Sequence, residues 1–183
     1  MGLTVHFKFV APPDTDAARA RELVRALRRR ALGFKRRGRV TGVLPIGDDA
    51  EALRWAAQYK SVPHPTWPDS QTGIEIPAEG GFIFPATVGE GCEPLWLGLC
   101  CYPKTVVLGD RRYRTNLPNW SFAGCTKTQY ASLHGWEHFR RCHTGWWICW
   151  LADGNWASRL RSTMKANTGR TGRCRSCAPN SIK

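Results

Sequence analysis

The stretch 3–33, LTVHFKFVAPPDTDAARARELVRALRRRALG, decides the fold prediction because two periodicities follow one another in it. Residues 3–10 alternate apolar and polar side chains, which is the period-two pattern of a half-buried strand. A Pro-Pro pair ends that strand, and the following residues Asp14, Thr15 and Asp16 are candidate N-caps for a helix. Residues 17–32 are rich in Ala, Leu and Arg, with apolar residues recurring every four positions. The stretch therefore predicts a strand followed by a helix that has one buried face.

Outward from this unit, apolar runs and chain breakers predict further short elements. A second strand is predicted over 39–46 and a short helix over 48–59, while three prolines make 62–70 a loop. The later elements are predicted as strands over 73–77, 82–88, 95–102 and 105–108 and a helix from about Gly135. The predicted fold class is α+β, with a mostly antiparallel sheet, two or three helices and a disordered or non-native C-terminal tail.

Length and composition bound the class of protein. A chain of 183 residues predicts one domain, long enough to bury most of its apolar surface without disulfides. The N-terminus lacks the pattern of a signal peptide, and no apolar run reaches the length of a membrane span. A cytoplasmic protein without a membrane partner is therefore expected. The chain has eight cysteines, and in that compartment reduced thiols or metal ligands are expected in preference to disulfides.

The composition changes after His143, which predicts a single domain over 1–143 and a separate tail over 144–183. The whole chain has a net charge of +13, and the tail contributes seven basic residues and one acidic residue to it. Four of the nine tryptophans fall within 146–156, whereas 158–183 is almost without apolar residues. A segment of this second kind cannot bury enough surface to order itself.

Two interpretations of the tail stay open. In the first it is a basic extension whose tryptophans stack on nucleic acid bases and whose arginines meet phosphates. In the second it is a frameshifted translation. Read one base earlier, the codons of 146–150 encode an aliphatic residue or Met, then Val, Asp, Leu or Met, and Leu. That pattern continues the amphipathic helix predicted before it, so sequencing the gene around His143 distinguishes the two interpretations.

Four motifs in the domain carry a resemblance. They are GEGCEP at 89–94, GLCCYP at 98–103, KTQYAS at 127–132 and FRRCH at 139–143. Together they resemble successive motifs of an uncharacterised bacterial protein family of similar length, over about residues 1–143. The tail departs from that family, which continues with an aliphatic helix and an acidic, aromatic segment. The resemblance implies one folded unit and favours the shifted frame, but it implies no activity.

A set of cysteines and one histidine could ligate a metal, with zinc the expected ion. Zinc prefers four Cys, His or carboxylate ligands in tetrahedral geometry. The candidate ligands are Cys92, Cys100, Cys125, Cys142 and His143. No CxxC pair occurs among them, and the alternative interpretation is that these cysteines are small buried apolar residues. Cys174 and Cys177 have metal or redox spacing but no second pair downstream.

The same region could instead bind a small molecule or carry thiol chemistry. Glycine-rich turns allow a close approach of ligand to backbone, and loops often carry function. The candidate ligand-binding residues are Glu90, Glu93, Lys127, Gln129 and Tyr130, whose other interpretation is turn and cap residues. A nucleophilic arrangement would use Cys92 or Cys100 as the thiolate, with His143, His138 or His134 as the base. Histidines that lie on the surface or on a helix for structural reasons are the simpler alternative.

A basic cluster is the strongest indication of nucleic acid binding. The cluster consists of Arg28, Arg29, Arg30, Lys35, Arg36, Arg37 and Arg39. A solvated helix face is the alternative, and no phosphate-binding or nucleic-acid motif accompanies the cluster. The function expected first is therefore a small binding or accessory protein with a polar pocket that contains Cys and His. The alternatives are a nucleic-acid-binding protein and a thiol- or metal-dependent enzyme.

Overall fold

The computed structural model describes residues 4–67, 69–151 and 161–167. The strands are β1 Thr4–Val10, β2 Gly42–Val43, β3 Gln58–Pro63, β4 Gln71–Ile76, β5 Gly80–Thr87, β6 Leu95–Cys101, β7 Thr105–Leu108, β8 Arg111–Arg114, β9 Ser121–Lys127 and β10 Arg161–Asn167. The helices are α1 Ala17–Arg36, α2 Ala50–Leu53 and α3 Trp136–Leu151, with 3-10 segments at Arg54–Ala56 and Gln129–His134. The α+β class with a mostly antiparallel sheet and two or three helices is confirmed.

The main sheet has six strands in the order β10-β1-β9-β6-β5-β2. Every strand pair in it is antiparallel, and β1 lies between β9 and β10. The predicted alternation in β1 is confirmed, because Val5, Phe7 and Phe9 are buried whereas Lys8 is exposed. Two further antiparallel ribbons, β3-β4 and β7-β8, stand apart from the main sheet.

Helix α1 packs against the main sheet at β2, β5 and β6. The Asp16 side chain accepts a hydrogen bond from the Arg19 amide at 2.7 Å, which caps the first turn as predicted. Its buried stripe consists of Ala20, Leu23, Val24, Leu27, Ala31 and Phe34. The helix extends beyond the stretch 17–32 on which it was predicted and continues through Gly33 to Arg36. Burying the Phe34 ring in the core outweighs the modest helix penalty of one glycine.

Three other element boundaries differ from the prediction because tertiary pairing overrides local pattern. The strand predicted over 39–46 is reduced to Gly42 and Val43, with the flanking Thr41 and Leu44 amides also donating to β5 carbonyls, and Pro45 after Leu44 has no amide hydrogen to donate. The helix predicted over 48–59 ends early, and its last residues begin β3. That strand pairs with β4 through Pro63, so it also shortens the predicted loop.

Helix α3 runs through the predicted domain boundary at His143 and ends at Leu151. Strand β10 then pairs with β1 in the main sheet, with Phe7 opposite Met164. The remaining predictions for the tail, including the Cys174 and Cys177 pair, concern 152–160 and 168–183 and lie outside the described residues. Among the helices that the structure describes, none has the length and apolar character needed to cross a membrane.

Candidate thiol and imidazole site

The GEGCEP loop, residues 89–94, connects β5 to β6 and makes close contact with the 3-10 segment Gln129–His134. Gly91 has φ +73, a left-handed conformation that favours glycine. A Cβ added there would lie 2.6 Å from the backbone of Tyr130 and Ala131. Only a residue without a side chain therefore allows the loop to approach the 3-10 segment this closely.

Helix α3 meets the same loop at Gly89. A Cβ added at Gly89 would lie 2.7 Å from the Cys142 Sγ and 3.3 Å from the His138 Cε1. His138 and Cys142 are four residues apart, so they lie on one face of α3. The loop, the 3-10 segment and the first half of α3 thus converge, and we call this convergence the thiol-imidazole site.

Glu93 anchors the other end of the loop to β9. The Glu93 amide donates to the Lys127 carbonyl at 3.0 Å, and the Lys127 amide donates to the Glu93 carboxylate at 3.2 Å. The Lys127 Nζ lies 3.5 Å from the same carboxylate, and the buried Thr126 hydroxyl donates to the Glu93 carbonyl at 2.8 Å. Glu93 and Lys127, two predicted ligand-binding residues, are therefore occupied with each other.

Two thiols meet at the centre of the site. Cys142 is fully buried, and half-buried Cys92 packs with it against Ala131 and Phe139. Burial together with the neighbouring Cys142 raises the pKa of Cys92 to about 12. Cys92 is consequently a neutral thiol at neutral pH, which is the opposite of an activated nucleophile.

The hydrogen bonds of His138 define its tautomer. A guanidinium only donates, so Arg141, 3.0 Å away, makes the His138 Nδ1 an acceptor. The His138 Nε2 then carries the hydrogen and donates to the Glu90 carbonyl at 2.8 Å. The same nitrogen lies 3.5 Å from the Cys142 Sγ. His138 is therefore a neutral imidazole that links the loop, the buried thiol and the outer face of α3.

Glu90 and His134 form the solvent-facing side of the site. The Glu90 carboxylate is 79% exposed and lies 3.8 Å from the His134 Nδ1, and the rings of His134 and His138 are 5.2 Å apart. Sequence reasoning considered these two histidines only as bases for a thiolate. The four-residue spacing of His138 and Cys142 was the signal that could have placed this histidine beside the buried thiol.

The 3-10 segment and the start of α3 present apolar side chains beside these polar groups. Tyr130 is 53% exposed, Leu133 81% and Trp136 69%. Gln129, another predicted ligand-binding residue, is partly buried, and its carbonyl accepts a hydrogen bond from Ser132 at 2.7 Å. Of the predicted ligand set, Glu90 and Tyr130 are thus the two with substantially exposed side chains.

His143 faces a different part of the structure. Its Nδ1 lies 3.0 Å from the hydroxyl of fully buried Thr128, and its ring stacks on Phe139 with centroids 5.6 Å apart. Burial lowers the pKa of His143. The pair formed by His143 and Thr128 therefore holds α3 against the end of β9.

The five residues predicted as zinc ligands do not form one cluster. Cys100 lies in β6 with its side chain fully buried, and burial raises the pKa of its thiol to about 12. Cys125 lies in β9 and is disulfide-bonded, so the expectation of reduced thiols or metal ligands is wrong for it. Across 4–67, 69–151 and 161–167, no group of three or more Cys, His, Asp or Glu residues is placed to hold a metal ion.

Several members of the predicted basic cluster make contacts within the protein. The Arg28 Nε donates to the Leu44 carbonyl at 2.7 Å, and the guanidinium groups of Arg30 and Arg37 lie 5.6 and 4.6 Å from the ring centre of Phe34. The other four members, Arg29, Lys35, Arg36 and Arg39, are exposed to solvent. Part of the charge run therefore serves to pack and orient the end of α1.

The resemblance to an uncharacterised bacterial family stays a prediction. The geometry separates Glu90, His134, His138 and the two thiols from the structural contacts of Glu93, Lys127 and His143. Comparison of the chain with protein-family models, curated proteins and solved structures finds no match.

Proposed function

We propose that this chain is a small binding or accessory protein that holds a polar ligand at the thiol-imidazole site. The observation that carries the proposal is the convergence on one surface of the GEGCEP loop with the 3-10 segment and α3, which lie far from the loop in the chain. That surface combines an exposed carboxylate, two imidazoles and a half-buried thiol with exposed apolar side chains. Apolar walls with a few oriented polar groups are typical of small-molecule sites.

Binding is favoured over thiol catalysis by the state of the candidate nucleophile and base. A nucleophilic cysteine needs a lowered pKa or an adjacent base. Burial raises the pKa of Cys92 to about 12. The His138 Nδ1 already accepts from Arg141, and its Nε2 donates to Glu90, so this imidazole has no nitrogen available to take a proton from a thiol.

The charges at the site indicate a zwitterionic ligand. The Arg141 guanidinium lies 3.0 Å from the His138 Nδ1, and the Glu90 carboxylate lies 3.8 Å from the Nδ1 of the neighbouring His134, so one group of each sign borders the pair of imidazoles. Both residues are exposed. A ligand with an ammonium group and a carboxylate, such as a free amino acid or a short peptide, would complement them. Leu133 and Trp136 would then contact its apolar part.

The test is a titration of the full chain followed through the ¹⁵N and ¹H resonances of its histidine side chains. The probe is S-methylglutathione, a zwitterionic peptide that cannot exchange disulfides, with inorganic phosphate as an anion-only comparison. We expect saturable shifts at His134 and His138 with the peptide, and none at His64, which stacks on Trp67 far along the chain. Absence of saturation, or equal shifts at His64, would contradict the proposal.

A matched pair of variants tests the role of the carboxylate. Glu90→Gln removes one charge from the site and should weaken peptide binding roughly tenfold, the loss of one charge-assisted hydrogen bond. Glu79→Gln removes an exposed carboxylate at the start of β5 and should leave binding unchanged. An equal effect of both substitutions would indicate general electrostatics in place of a site at Glu90.

A further inference from the structure

Cys92 and Cys142 have an arrangement that the proposed binding function does not use. Their positions lie in different segments, one in the GEGCEP loop and one in α3, yet Cys92 packs against the buried cluster that contains Cys142. Cys142 is fully buried whereas Cys92 is partly exposed, so solvent and solutes reach the pair from the side of Cys92. One accessible and one shielded thiol in contact is the arrangement of an attacking and a resolving cysteine.

We propose that Cys92 and Cys142 are a reversible redox pair, which a low-molecular-weight disulfide bound at the thiol-imidazole site oxidises to an intramolecular disulfide. This inference rests on the proposed function, because a disulfide of an amino acid or short peptide, such as oxidised glutathione, is a zwitterionic ligand of the class proposed above. It adds to that function the chemical identity of the ligand and a covalent outcome.

The reaction balances as two thiol-disulfide exchanges. The Cys92 thiol loses its proton to solvent, and its sulfur attacks one sulfur of oxidised glutathione. The small disulfide bond breaks, a Cys92-glutathione bond forms, and the first glutathione leaves as a thiolate that takes up a proton. Cys142 then loses its proton and attacks the Cys92 sulfur, which releases the second glutathione. The two protein thiols are oxidised, and one small disulfide is reduced to two thiols.

Neighbouring groups support the second exchange. The His138 Nε2, which donates its hydrogen to the Glu90 carbonyl, lies 3.5 Å from the Cys142 Sγ, so the thiolate would share this hydrogen with the carbonyl as it forms. Gly89 leaves the Sγ of Cys142 free to approach the loop, because any side chain there would occupy that space. The neutral state of Cys92 predicts slow oxidation at neutral pH and a rate that rises as the pH increases.

The new bond would tie the loop to α3. Closing a long segment of chain restricts the unfolded state more than the folded state, so oxidation should raise the Tm by several degrees. It would also consume the thiol that faces the ligand site. Oxidation is therefore expected both to stabilise the protein and to change the surface that binds the ligand.

The experiment uses the full chain, incubated with oxidised glutathione over a range of pH, alkylated, and mapped by mass spectrometry without reduction. We expect a peptide pair linked through Cys92 and Cys142 that disappears after treatment with dithiothreitol. Cys142→Ser should accumulate a stable mixed disulfide at Cys92, whereas Cys92→Ser should abolish both products. Cys101→Ser is the matched control, because that partly exposed thiol bonds the Gly80 carbonyl and should leave the reaction unchanged.

Two results would overturn the inference. One is full alkylation of both Cys92 and Cys142 after prolonged incubation with oxidised glutathione at alkaline pH. The other is a mixed disulfide at Cys92 that persists in the unmodified chain, since Cys142 would then not resolve it. The outcomes separate the two proposals: binding of S-methylglutathione without the disulfide retains the function alone, and the disulfide without saturable binding retains the redox pair alone.

Discussion

At the scale of single residues, Gly89 determines how closely α3 approaches the GEGCEP loop. Gly89→Ala would place a methyl group 2.7 Å from the Cys142 Sγ. The thiol is buried and cannot move aside cheaply, so the free energy of unfolding should fall by about 1–3 kcal/mol. Urea unfolding measures the difference.

The comparison for this substitution is Gly33→Ala in α1. A Cβ at Gly33 meets nothing within 4 Å, and alanine is the better helix former. We therefore expect Gly33→Ala to raise the free energy of unfolding by about 0.5–1 kcal/mol. If Gly89→Ala were as stable as the unmodified chain, the close contact between the loop and α3 would not exist.

The burial of His143 leads us to expect that the stability of the protein depends on pH. Burial lowers its pKa in the folded state, so the unfolded chain binds more protons than the folded chain as the pH falls. The stabilising contribution of the neutral His143 ring to the free energy of unfolding is fully present above the unfolded pKa of about 6.5. It is lost as the pH falls below that value.

Replacement of this histidine by a residue that does not titrate tests the prediction. His143→Gln removes the ionisable ring, and it should flatten the loss of stability between about pH 7 and pH 5. His6→Gln, in the accessible part of β1, serves as the comparison. Denaturant unfolding at a series of pH values gives the slopes, and equal slopes for both variants would place the acid sensitivity elsewhere.

At the scale of elements, the N-cap of α1 makes a predictable contribution to the free energy of unfolding. Asp16→Ala removes the acceptor for the Arg19 amide and should lower the free energy of unfolding by about 1 kcal/mol. Asp16→Asn keeps an acceptor and should retain most of the stability, while Asp14→Ala changes an exposed carboxylate outside the helix. A loss at Asp14 as large as the loss at Asp16 would indicate an effect of net charge.

Elements with strong periodicity were predictable, and elements determined by pairing were not. The alternation of β1 and the apolar stripe of α1 appear directly in the sequence because burial selects them position by position. The end of the predicted helix over 48–59 instead became β3, since its backbone pairs with β4. That pairing depends on a partner strand that local propensity does not describe.

At the scale of the whole molecule, the site was predictable as a set of segments but not as a set of contacts. Glycines in the GEGCEP motif indicated a close backbone approach, and Gly91 indeed packs on Tyr130 and Ala131. The sequence could not show that Glu93 would be occupied by Lys127, or that Cys100 would lie in the core, away from Cys92. Those outcomes depend on which strands become neighbours in the sheet.

The last prediction concerns the whole molecule: we expect the tail after His143 to be translated from a shifted reading frame. Helix α3 continues past His143 with Gly145 in its backbone and the sequence WWICW after it. A glycine inside a helix lowers its stability by about 1 kcal/mol relative to alanine. The sequence WWICW does not divide into an apolar and a polar helix face. The frame one base earlier supplies both faces over the same turns.

Sequencing the gene around codon 143 and comparing the stability of both chains tests this prediction. We expect a one-base difference, and we expect the restored chain to unfold cooperatively at a higher urea concentration than the chain as written. The restored helix should bury an aliphatic face, so the steepness of the transition should increase along with its midpoint. An intact frame, together with homologous DNA that encodes the tail as written, would show that the basic tail is native.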